Sequence, residues 1–346
     1  MSAVLSNPPP NAGLSPAVAA LPLPVSRYRL RFIAQEPLRL PAYAGSAWRG
    51  AFGRALKRLV CVTREPHCPN CLLYRSCSYP YLFETPPDPA VALLRKYPAA
   101  PHPFLLRPPP DTRQPLVAGA ETTLDLNLFG HGHRYLPYVL HALGQAAERG
   151  VGTDRGRLAL AEVLQETATG WTLIHQPDGP LTPQPPAIPQ PPSCPARLKL
   201  SIDTPLRLAV ANDHVTPETF RFTHLFGSLL RRISLLIAFH GDQPLAADFA
   251  ALARAADAVP LAATRLRWRD WNRYSSRQRT AVPMGGLVGE IELSGAGLDP
   301  FWPWLWLGQW THAGKGAVMG LGGYQLAWTE QQASRQSLNE KPNRTL

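Results

Sequence analysis

The sequence contains few acidic residues relative to basic ones. Asp and Glu number 24 against 35 Lys and Arg, which gives the 346-residue chain a formal net charge of +11. Arg greatly outnumbers Lys, and its planar guanidinium grips a phosphate with two hydrogen bonds and also stacks on bases. This excess favours a polyanionic partner such as RNA, because each phosphate contact releases counterions. A basic protein with no nucleic-acid role is the alternative.

Long apolar runs are also missing. No stretch approaches the roughly 20 uninterrupted apolar residues of a membrane span, so we expect no membrane partner. Residues 1–25 are uncharged and rich in Pro, Ala and Ser. With no basic residue before its apolar part, this segment makes a poor signal peptide. We therefore expect a disordered leader and a cytoplasmic location.

Proline divides the rest of the chain. Residues 176–196 are dominated by proline, which favours an extended linker over helix or sheet interior. The linker separates a predicted N-terminal domain, residues 26–175, from a C-terminal domain, residues 197–330. Residues 331–346 are polar, and we expect a flexible tail.

The apolar periodicity of both domains predicts the element order β-α-β-β-α-β. In the second domain, alternation begins at Arg197, and Thr216-Pro217-Glu218 has the composition of a helix start. In the first, Tyr28, Leu30 and Phe32 indicate a strand, and Ser46 is the expected helix cap. The predicted fold class is α+β, with two tandem ferredoxin-like, RRM-like domains and a Cys-rich insertion at residues 61–85 of the first.

A glycine-rich segment, residues 314–323, lies between a predicted helix and the last strand. Glycines let backbone N–H groups approach an anion, and Lys315 adds positive charge. The segment lacks the Gly-x4-Gly-Lys-Ser/Thr order of a nucleotide-binding P-loop. A tight turn without a ligand is the alternative interpretation.

Three motifs together resemble a known family. They are the run Trp268-Arg269-Asp270-Trp271-Asn272-Arg273-Tyr274-Ser275-Ser276-Arg277-Gln278, then Gly285-Gly286-Leu287-Val288-Gly289, then His312-Ala313-Gly314-Lys315-Gly316 with Gly320-Leu321-Gly322. They resemble the C-terminal domain of CRISPR-associated pre-crRNA processing endoribonucleases of the RAMP superfamily, the "Cas six" family. The segment from Tyr43 to Gly53 is similar to the start of that family's N-terminal domain.

The resemblance implies metal-independent cleavage of CRISPR repeat RNA. The ribose 2′-OH attacks the adjacent phosphate, which leaves a 2′,3′-cyclic phosphate and a 5′-OH, with no cofactor needed for catalysis. It also implies that the product crRNA passes to subunits of an effector complex.

The predicted RNA-binding residues combine Arg-rich segments with the glycine-rich loop. Arg among aromatic residues suits phosphate pairing and base stacking, whereas a solvated face is the alternative. The predicted set is Arg54, Lys57, Arg265, Arg267, Arg269, Arg273, Arg277, Lys315, Gly314, Gly316, Gly320 and Gly322.

A catalytic histidine is missing where the resembled family often has one. Residues 40–58, around the predicted first helix, contain no His. Cleavage through the 2′-OH requires a base, an acid and a cation near the phosphate. We expect Tyr43 and Arg49 by position, and His312 by its proximity to the glycine-rich loop. A packing role for Tyr43 is the alternative.

Cysteine is scarce, yet four of the five cysteines lie together. Cys61, Cys68, Cys71 and Cys77 follow the spacing C-x6-C-x2-C-x5-C, which is typical of a tetrahedral structural zinc site, with His67 as a substitute ligand. An iron–sulfur cluster or unligated thiols are the alternatives, and disulfides are disfavoured in a reducing cytoplasm.

Two rival functions remain open at this point. The absent His favours a RAMP-type subunit that holds crRNA without cutting it. A metal-dependent enzyme built on the cysteines is the other rival. Against it, no Asp, Glu or His set with an open-site spacing adjoins them.

Overall fold

The fold was analysed in a computed structural model of the chain. The structure describes residues 19–86, 100–110, 112, 114–152, 154–211, 213–243, 245–275, 280–294 and 297–328. Within these ranges the protein is a mixed α+β structure whose two main sheets are antiparallel. At this level the predicted fold class is confirmed.

The N-terminal half forms one five-stranded sheet in the order β2-β3-β1-β4-β5. Its strands are β1 (Val25–Ala34), β2 (Phe104–Arg107), β3 (Glu121–Phe129), β4 (Leu158–Thr167) and β5 (Gly170–His175). Its helices are α1 (Gly45–Val60), α2 (Ser78–Phe83) and α3 (Leu136–Glu148). The strand alternation predicted from Tyr28, Leu30 and Phe32 places these side chains in the core under α1 and α3. One face of the sheet is therefore covered by helices. The other face packs against the C-terminal half at Leu105 and Phe129 and is open elsewhere.

The C-terminal half forms a four-stranded sheet in the order β13-β6-β12-β9. Its strands are β6 (Arg197–Leu206), β9 (Leu261–Arg269), β12 (Gly286–Ser294) and β13 (Tyr324–Ala327). Its helices are α4 (Phe222–His240), α5 (Phe249–Ala256) and α6 (Trp302–Thr311). Two small hairpins, β7 (Ala209–Val210) with β8 (Asp213–His214) and β10 (Asn272–Ser275) with β11 (Thr280–Pro283), lie outside this sheet. In both main sheets the first strand of the half lies between its third and fourth strands.

The tryptophans of α6 and the long helix α4 form the C-terminal core. Trp302 and Trp304 are buried, whereas Trp306 and Trp310 pack against the core from its margin. By length and apolar composition α4 could cross a membrane. Its apolar side chains are buried against the sheet and α6 instead, as in the core helix of a globular domain.

The start of α4 was predicted five residues too early, with Thr216 rather than Arg221 as the N-cap. The helix begins at Phe222, whereas Thr216 begins a turn in which its backbone N–H donates to the Thr219 hydroxyl at 2.9 Å. Thr and Ser hydroxyls compete with the helix in this way by offering a local acceptor. The expected cap at Ser46 is also wrong, because α1 already includes Gly45 and its N-cap residue, Ala44, has no side-chain cap.

The chain is already packed before the predicted domain boundary at residue 26. Leu23 is fully buried in the C-terminal core, and β1 begins at Val25. Disorder is therefore wrong for residues 19–25, while residues 1–18 and the tail after residue 328 lie outside the described residues.

The proline-rich linker is held against both halves of the protein by hydrogen bonds. Gln165 exchanges two hydrogen bonds with the backbone of Gln184, and the Trp302 indole donates to Pro192 O.

The two halves share one packed interface. Leu105 and Phe129 of the N-terminal sheet belong to the same core as α4 and α6. The Asn127 amide donates to Trp310 O at 2.8 Å. His240 of α4 donates through Nε2 to Pro101 O at 2.8 Å and accepts through Nδ1 from the Tyr81 hydroxyl at 3.0 Å. Apolar packing and buried hydrogen bonds thus fix the position of the glycine-rich loop relative to α1.

We predict that alanine has opposite effects on the stability of the protein at two helical glycines. A Cβ at Gly308 of α6 would lie 1.9 Å from the Tyr324 hydroxyl and 2.8 Å from a Leu229 methyl group. Gly308→Ala should therefore lower the free energy of unfolding by about 1 to 3 kcal/mol. Gly227→Ala in α4, where a Cβ meets only open space, should raise it by about 0.5 to 1 kcal/mol because alanine is the better helix former. Urea unfolding of both variants measures this, and equal shifts would refute the packing of α6 against β13.

Candidate nucleic-acid interface

Three arginines form a row along the edge of the C-terminal sheet. In β9, which pairs only with β12 in that sheet, Arg265, Arg267 and Arg269 alternate with Leu266 and Trp268. The two apolar side chains pack against the core, so the arginines point to the opposite face. Arg265 lies 3.8 Å from Glu290, whereas Arg267 and Arg269 form no ion pair with another described residue. Their charges are available to an anion.

Further cationic groups lie where β9 ends. Arg207 follows β6, and its guanidinium donates to Nε2 of the exposed His214 at 2.8 Å. The backbone N–H of Lys315 donates to Arg207 O at 2.9 Å, and the Lys315 side chain is exposed. The His214 ring lies 6.0 Å from the ring of Trp268. We call this set the basic edge: Arg207, His214, Arg265, Arg267, Arg269 and Lys315.

A shallow groove of about 460 Å³ runs beside the basic edge. It is lined by residues 216–218 of the turn before α4 and by Leu266, Arg267 and Trp268 of β9. The groove combines an aromatic ring with a guanidinium, which suits a stacked base and its phosphate. Glu218 at its rim is the acidic exception.

Sequence reasoning missed His214 and Arg207. Arg207 directly follows β6, His214 belongs to the two-residue strand β8, and the β7–β8 hairpin brings their side chains together. The one available signal was an exposed polar turn directly after a predicted strand. Of the predicted arginines in this region, Arg273 belongs to strand β10, and Arg277 lies outside the described residues.

The glycine-rich loop has a fixed conformation. Gly314, Gly316, Gly320 and Gly322 all have positive φ, between 66° and 85°, a region that L side chains avoid. Six of its N–H groups already donate to protein acceptors, at residues 314, 315, 319, 320, 322 and 323. Gly320 and Gly322 are buried, whereas Gly314 and Gly316 are partly exposed. The predicted backbone cradle for phosphate is therefore restricted to the outer part of the loop.

Tyr43 anchors this loop from the N-terminal half. Its hydroxyl donates to Met319 O at 2.9 Å, and its ring packs edge-on against Trp271 at 5.2 Å. Burial raises the pKa of Tyr43 well above its ordinary value. Only 6% of the residue is exposed. This placement gives Tyr43 the packing role that was the alternative interpretation. Its catalytic role stays a prediction, because the buried side chain has no access to the surface.

His312 is buried beneath the loop. It is 1% exposed, and its Nδ1 donates to Leu321 O at 3.1 Å. Burial, reinforced by Arg107, lowers the pKa of His312 to about 3. The ring is therefore neutral at physiological pH and holds the loop by a hydrogen bond. The position of His312 next to the loop was expected. The side chain is not exposed, however, and therefore cannot contact RNA directly.

Arg49 is partly buried on α1. Its guanidinium lies 3.2 Å from Nε2 of His102 and 5.3 Å from the centre of the Phe83 ring. Burial, with Arg49 and Arg232 beside it, lowers the pKa of His102 to about 3, so the neutral ring accepts from Arg49. Of the three predicted catalytic residues, Arg49 alone is partly exposed. Its catalytic role stays a prediction.

The other predicted basic residues of α1 lie farther from the loop. Arg54 is exposed, whereas Lys57 donates to Pro66 O at 3.1 Å and lies over the Tyr79 ring. Gly45, which meets the loop, is nine to twelve residues away, or about 14 to 18 Å along the helix axis. The structure therefore does not bring Arg54 and Lys57 to the basic edge.

Arginines on the open face of the N-terminal sheet are neutralised. Arg27, Arg29 and Arg31 alternate along β1, and they form ion pairs with Glu166, Asp125 and Glu162. Arg27 and Arg29 also stack on Trp171, at 5.1 and 4.4 Å. Because every charge in this row has a partner, this face is a poorer site for RNA than the basic edge.

The four clustered cysteines line one small cavity between α1 and α2. All five cysteines of the chain are free thiols. Among the residues described, no group of three or more His, Cys, Asp or Glu side chains is arranged at ligand distance for a metal ion. The predicted zinc site and its alternatives therefore stay predictions.

Comparison with known proteins gives a family match to each half of the chain. Residues 200–324 match the family model of the CRISPR-associated endoribonuclease Cas6. Residues 23–186 match the AF_1859_N model, described as an N-terminal domain. An uncharacterized protein of Archaeoglobus fulgidus is 30% identical over 113 residues, which are 32% of this chain and 37% of that relative. The match thus spans little more than a third of the relative's length.

Solved structures with the same fold are also found. A Cas6 product complex superposes with a TM-score of 0.53 at 18% identity, covering 88% of this chain and 99% of that one. Thermus thermophilus Cas6 gives 0.50 at 16% identity, with 88% and 99% coverage. A partial Cas6-RT-Cas1–Cas2 complex gives 0.54 at 11% identity, covering 89% of this chain and 46% of that one. At these identities the likeness shows the fold.

We predict that stability falls as the pH drops below the ordinary pKa of histidine. Burial lowers the pKa of His102, His240 and His312 to about 3, 4 and 3, from 6.5. Below pH 6.5 the unfolded chain therefore binds protons that the folded chain does not, so stability present above that pH is lost as pH falls. At about pH 5 each ring accounts for up to about 2 kcal/mol of this loss.

Urea unfolding at about pH 7.5 and about pH 5 measures the effect. The variant His102→Gln should lose less stability between these pH values than the wild type. His141→Gln is the matched control, because His141 is exposed on α3 and should leave the difference unchanged. A wild-type protein equally stable at both pH values would contradict the burial of these rings.

Proposed function

Because its C-terminal domain belongs to the CRISPR-associated endoribonuclease Cas6 family, we propose that this chain cleaves CRISPR repeat RNA without a catalytic metal. The ribose 2′-OH attacks the adjacent phosphate, the 5′-oxygen leaves, and the products carry a 2′,3′-cyclic phosphate and a 5′-OH. The family match supports a role in CRISPR RNA processing or binding generally. The observation that carries the finer proposal is the basic edge, where Arg207 donates to an exposed histidine and where Arg267 and Arg269 form no ion pair with another described residue.

We also propose that the two halves are tandem ferredoxin-like domains, residues 26–175 and 197–330. The strand orders β2-β3-β1-β4 and β13-β6-β12-β9 support this, because each places the first strand between the third and the fourth. Strand β5 then extends the first sheet at its edge. On this proposal the cysteine segment is an insertion between α1 and β2 of the first domain.

RNA binding in this proposal uses the basic edge in two ways. Arg267, Arg269 and Lys315 pair with backbone phosphates, and Trp268 offers a face for a base in the adjoining groove. Since β9 is an edge strand, an extended RNA strand can follow it without displacing other parts of the sheet. A crRNA product held here would then be presented to the effector-complex subunits that are its proposed partners in the cytoplasm.

The cleavage step requires groups that exchange protons at the surface. His214 is exposed, and Arg207 donates to its Nε2, which leaves the proton of the neutral ring on Nδ1. We propose His214 as the acid or base and Arg207 as the cation that stabilises charge on the phosphate. Tyr43 and His312 then act by holding the glycine-rich loop, and Arg49 stays a candidate on the α1 side.

The first prediction of this proposal concerns salt dependence. Arg267→Ala/Arg269→Ala should weaken binding of the repeat RNA and lower the slope of log Kobs against log salt by about 1.5, since each lost phosphate contact removes about 0.7 to 0.9. The matched control is Arg31→Ala/Arg157→Ala, which removes the same charge from exposed arginines paired with Glu162 and Glu36. The slope is measured by fluorescence anisotropy over a salt series. Equal slope changes in both variants would show that only net charge matters.

The second prediction concerns cleavage. Single-turnover assays on repeat RNA with EDTA present should give a product ending in 2′,3′-cyclic phosphate. His214→Ala should slow cleavage at least about 100-fold, the usual contribution of a proton-transfer group, while changing RNA affinity little. His141→Ala, another exposed histidine, should cleave at the wild-type rate. Activity that appears only after metal is added would refute the metal-independent mechanism.

A non-catalytic role in crRNA binding is the second candidate. It is favoured by the burial of Tyr43 and His312, which removes two of the three residues expected from the sequence to act on RNA. Tight binding of repeat RNA without a cut in the same assay would establish this role, and absence of binding would refute both.

A further inference from the structure

The segment between α1 and α2 lacks the packing that normally fixes a loop. Residues 61–77 contain one buried residue, Cys68, while Val62 and Leu72 are 77% and 88% exposed. The segment has only a three-residue 3-10 turn of regular structure, Cys68–Asn70. Segments too small to bury an apolar core are commonly held by a disulfide or a metal instead.

All four clustered cysteines face one cavity. Cys61 directly follows α1, Cys77 directly precedes α2, and Cys68 and Cys71 belong to the turn between them. In that turn the Cys71 N–H donates to Cys68 O at 2.9 Å, which brings both side chains of the C-x2-C pair to the same cavity. Cys194, the remaining cysteine, lies in the linker. The donor set thus joins the end of one helix, a tight turn and the start of the next.

We propose that these four thiols hold one structural zinc ion. Four cysteines with a C-x2-C pair are a ligand set of structural zinc sites. The cavity measures about 20 Å³, room for about one water-sized group. On binding, each thiol gives up its proton as its sulfur forms a bond to zinc. The sulfurs are not at ligand distance in this structure, so zinc binding requires these side chains to adopt other rotamers.

The surroundings are compatible with such a centre. Lys57 lines the cavity and offsets part of the negative charge of a four-thiolate zinc site. The Thr63 hydroxyl lies 3.2 Å from the sulfur of Cys71 and can donate to it. With no open position left on the ion, the site is structural and takes no part in cleavage.

The zinc ion would fix α2 and, through it, the contact between the two halves. Tyr79 and Phe83 of α2 stack on each other, and Phe83 packs on Phe52 of α1. Tyr81 donates to His240 of α4. A free end at Cys77 would loosen this short helix, so loss of zinc should weaken the attachment of α4 as well as the loop itself.

Metal analysis of the full chain, purified without added metal and with reductant, tests the proposal. The wild type should contain about one zinc per chain and four thiols protected from a thiol reagent until denaturation. In Cys68→Ser/Cys71→Ser the zinc content should fall at least about tenfold. Both cysteines are direct ligands in the proposal, and replacing even a residue that only hydrogen-bonds to a ligand lowers metal affinity about tenfold or more. Cys194→Ser is the matched control and should keep its zinc.

A second measurement keeps the proposal testable if the double variant misfolds. Wild-type protein stripped with chelator and reloaded with cobalt should develop the absorption of a tetrahedral cobalt–thiolate site, and Cys194→Ser should do the same. Iron with inorganic sulfide in place of zinc would overturn the proposal, as would disulfides among the four cysteines. Wild type without metal and without the cobalt spectrum would also overturn it. None of these outcomes depends on RNA cleavage.

Discussion

The shape of the molecule depends on one close contact between its halves. The Tyr43 hydroxyl donates to Met319 O, inside a small core that also contains Met284 and Leu321. Two glycines make this approach feasible. A Cβ at Gly45 would lie 2.1 Å from Met319 O, and one at Gly320 would lie 2.3 Å from the Tyr43 hydroxyl. The conformation of the glycine-rich loop and the docking of α1 are therefore a single constraint, and neither can change without the other.

The two sheets share a strand order but differ in how their arginines are compensated. On β1 each arginine of the row faces a carboxylate of β3 or β4, so the row stabilises the sheet and presents little net charge. Among the described residues, Arg265 is the only arginine of β9 that forms an ion pair, with Glu290 at 3.8 Å. Residues 26–175 hold 18 Lys and Arg against 11 Asp and Glu (18 − 11 = +7), and residues 197–330 hold 14 against 11 (14 − 11 = +3). Net charge alone would therefore favour the first half as the RNA surface, whereas the location of arginines without ion pairs favours the second. Recognition of a polyanion depends on the field at one surface, and ion pairs remove charge from that field.

Local periodicity allowed most helices and strands to be predicted, because it reports which face of an element is buried. Strand β5 was missed: Leu173 is 44% exposed, and Trp171 lies beneath arginines, so its pattern is not that of a half-buried strand. The start of α4 was placed early because the competing Thr216–Thr219 turn uses the same residue types as a helix cap. Burial of His312 could not be read locally either, since it results from strands and a loop far apart in sequence. The same reason hid the pair formed by Arg207 and His214.

Most N–H groups of the glycine-rich loop already form hydrogen bonds within the protein, and this limits where RNA can be bound and cleaved. The N–H groups of Gly314, Gly322 and Gly323 donate to Ser228, Pro205 and Thr204, so a phosphate reaching them would have to break existing hydrogen bonds. A neutral, buried His312 has the same limitation, because protonating it requires placing a charge in an apolar core. The groups that can exchange protons or pair with phosphate without such costs are those at the outer rim. The proposal that follows from this constraint is a site in which buried residues hold the loop rigid, and Lys315, Arg207 and His214 at its margin meet the RNA.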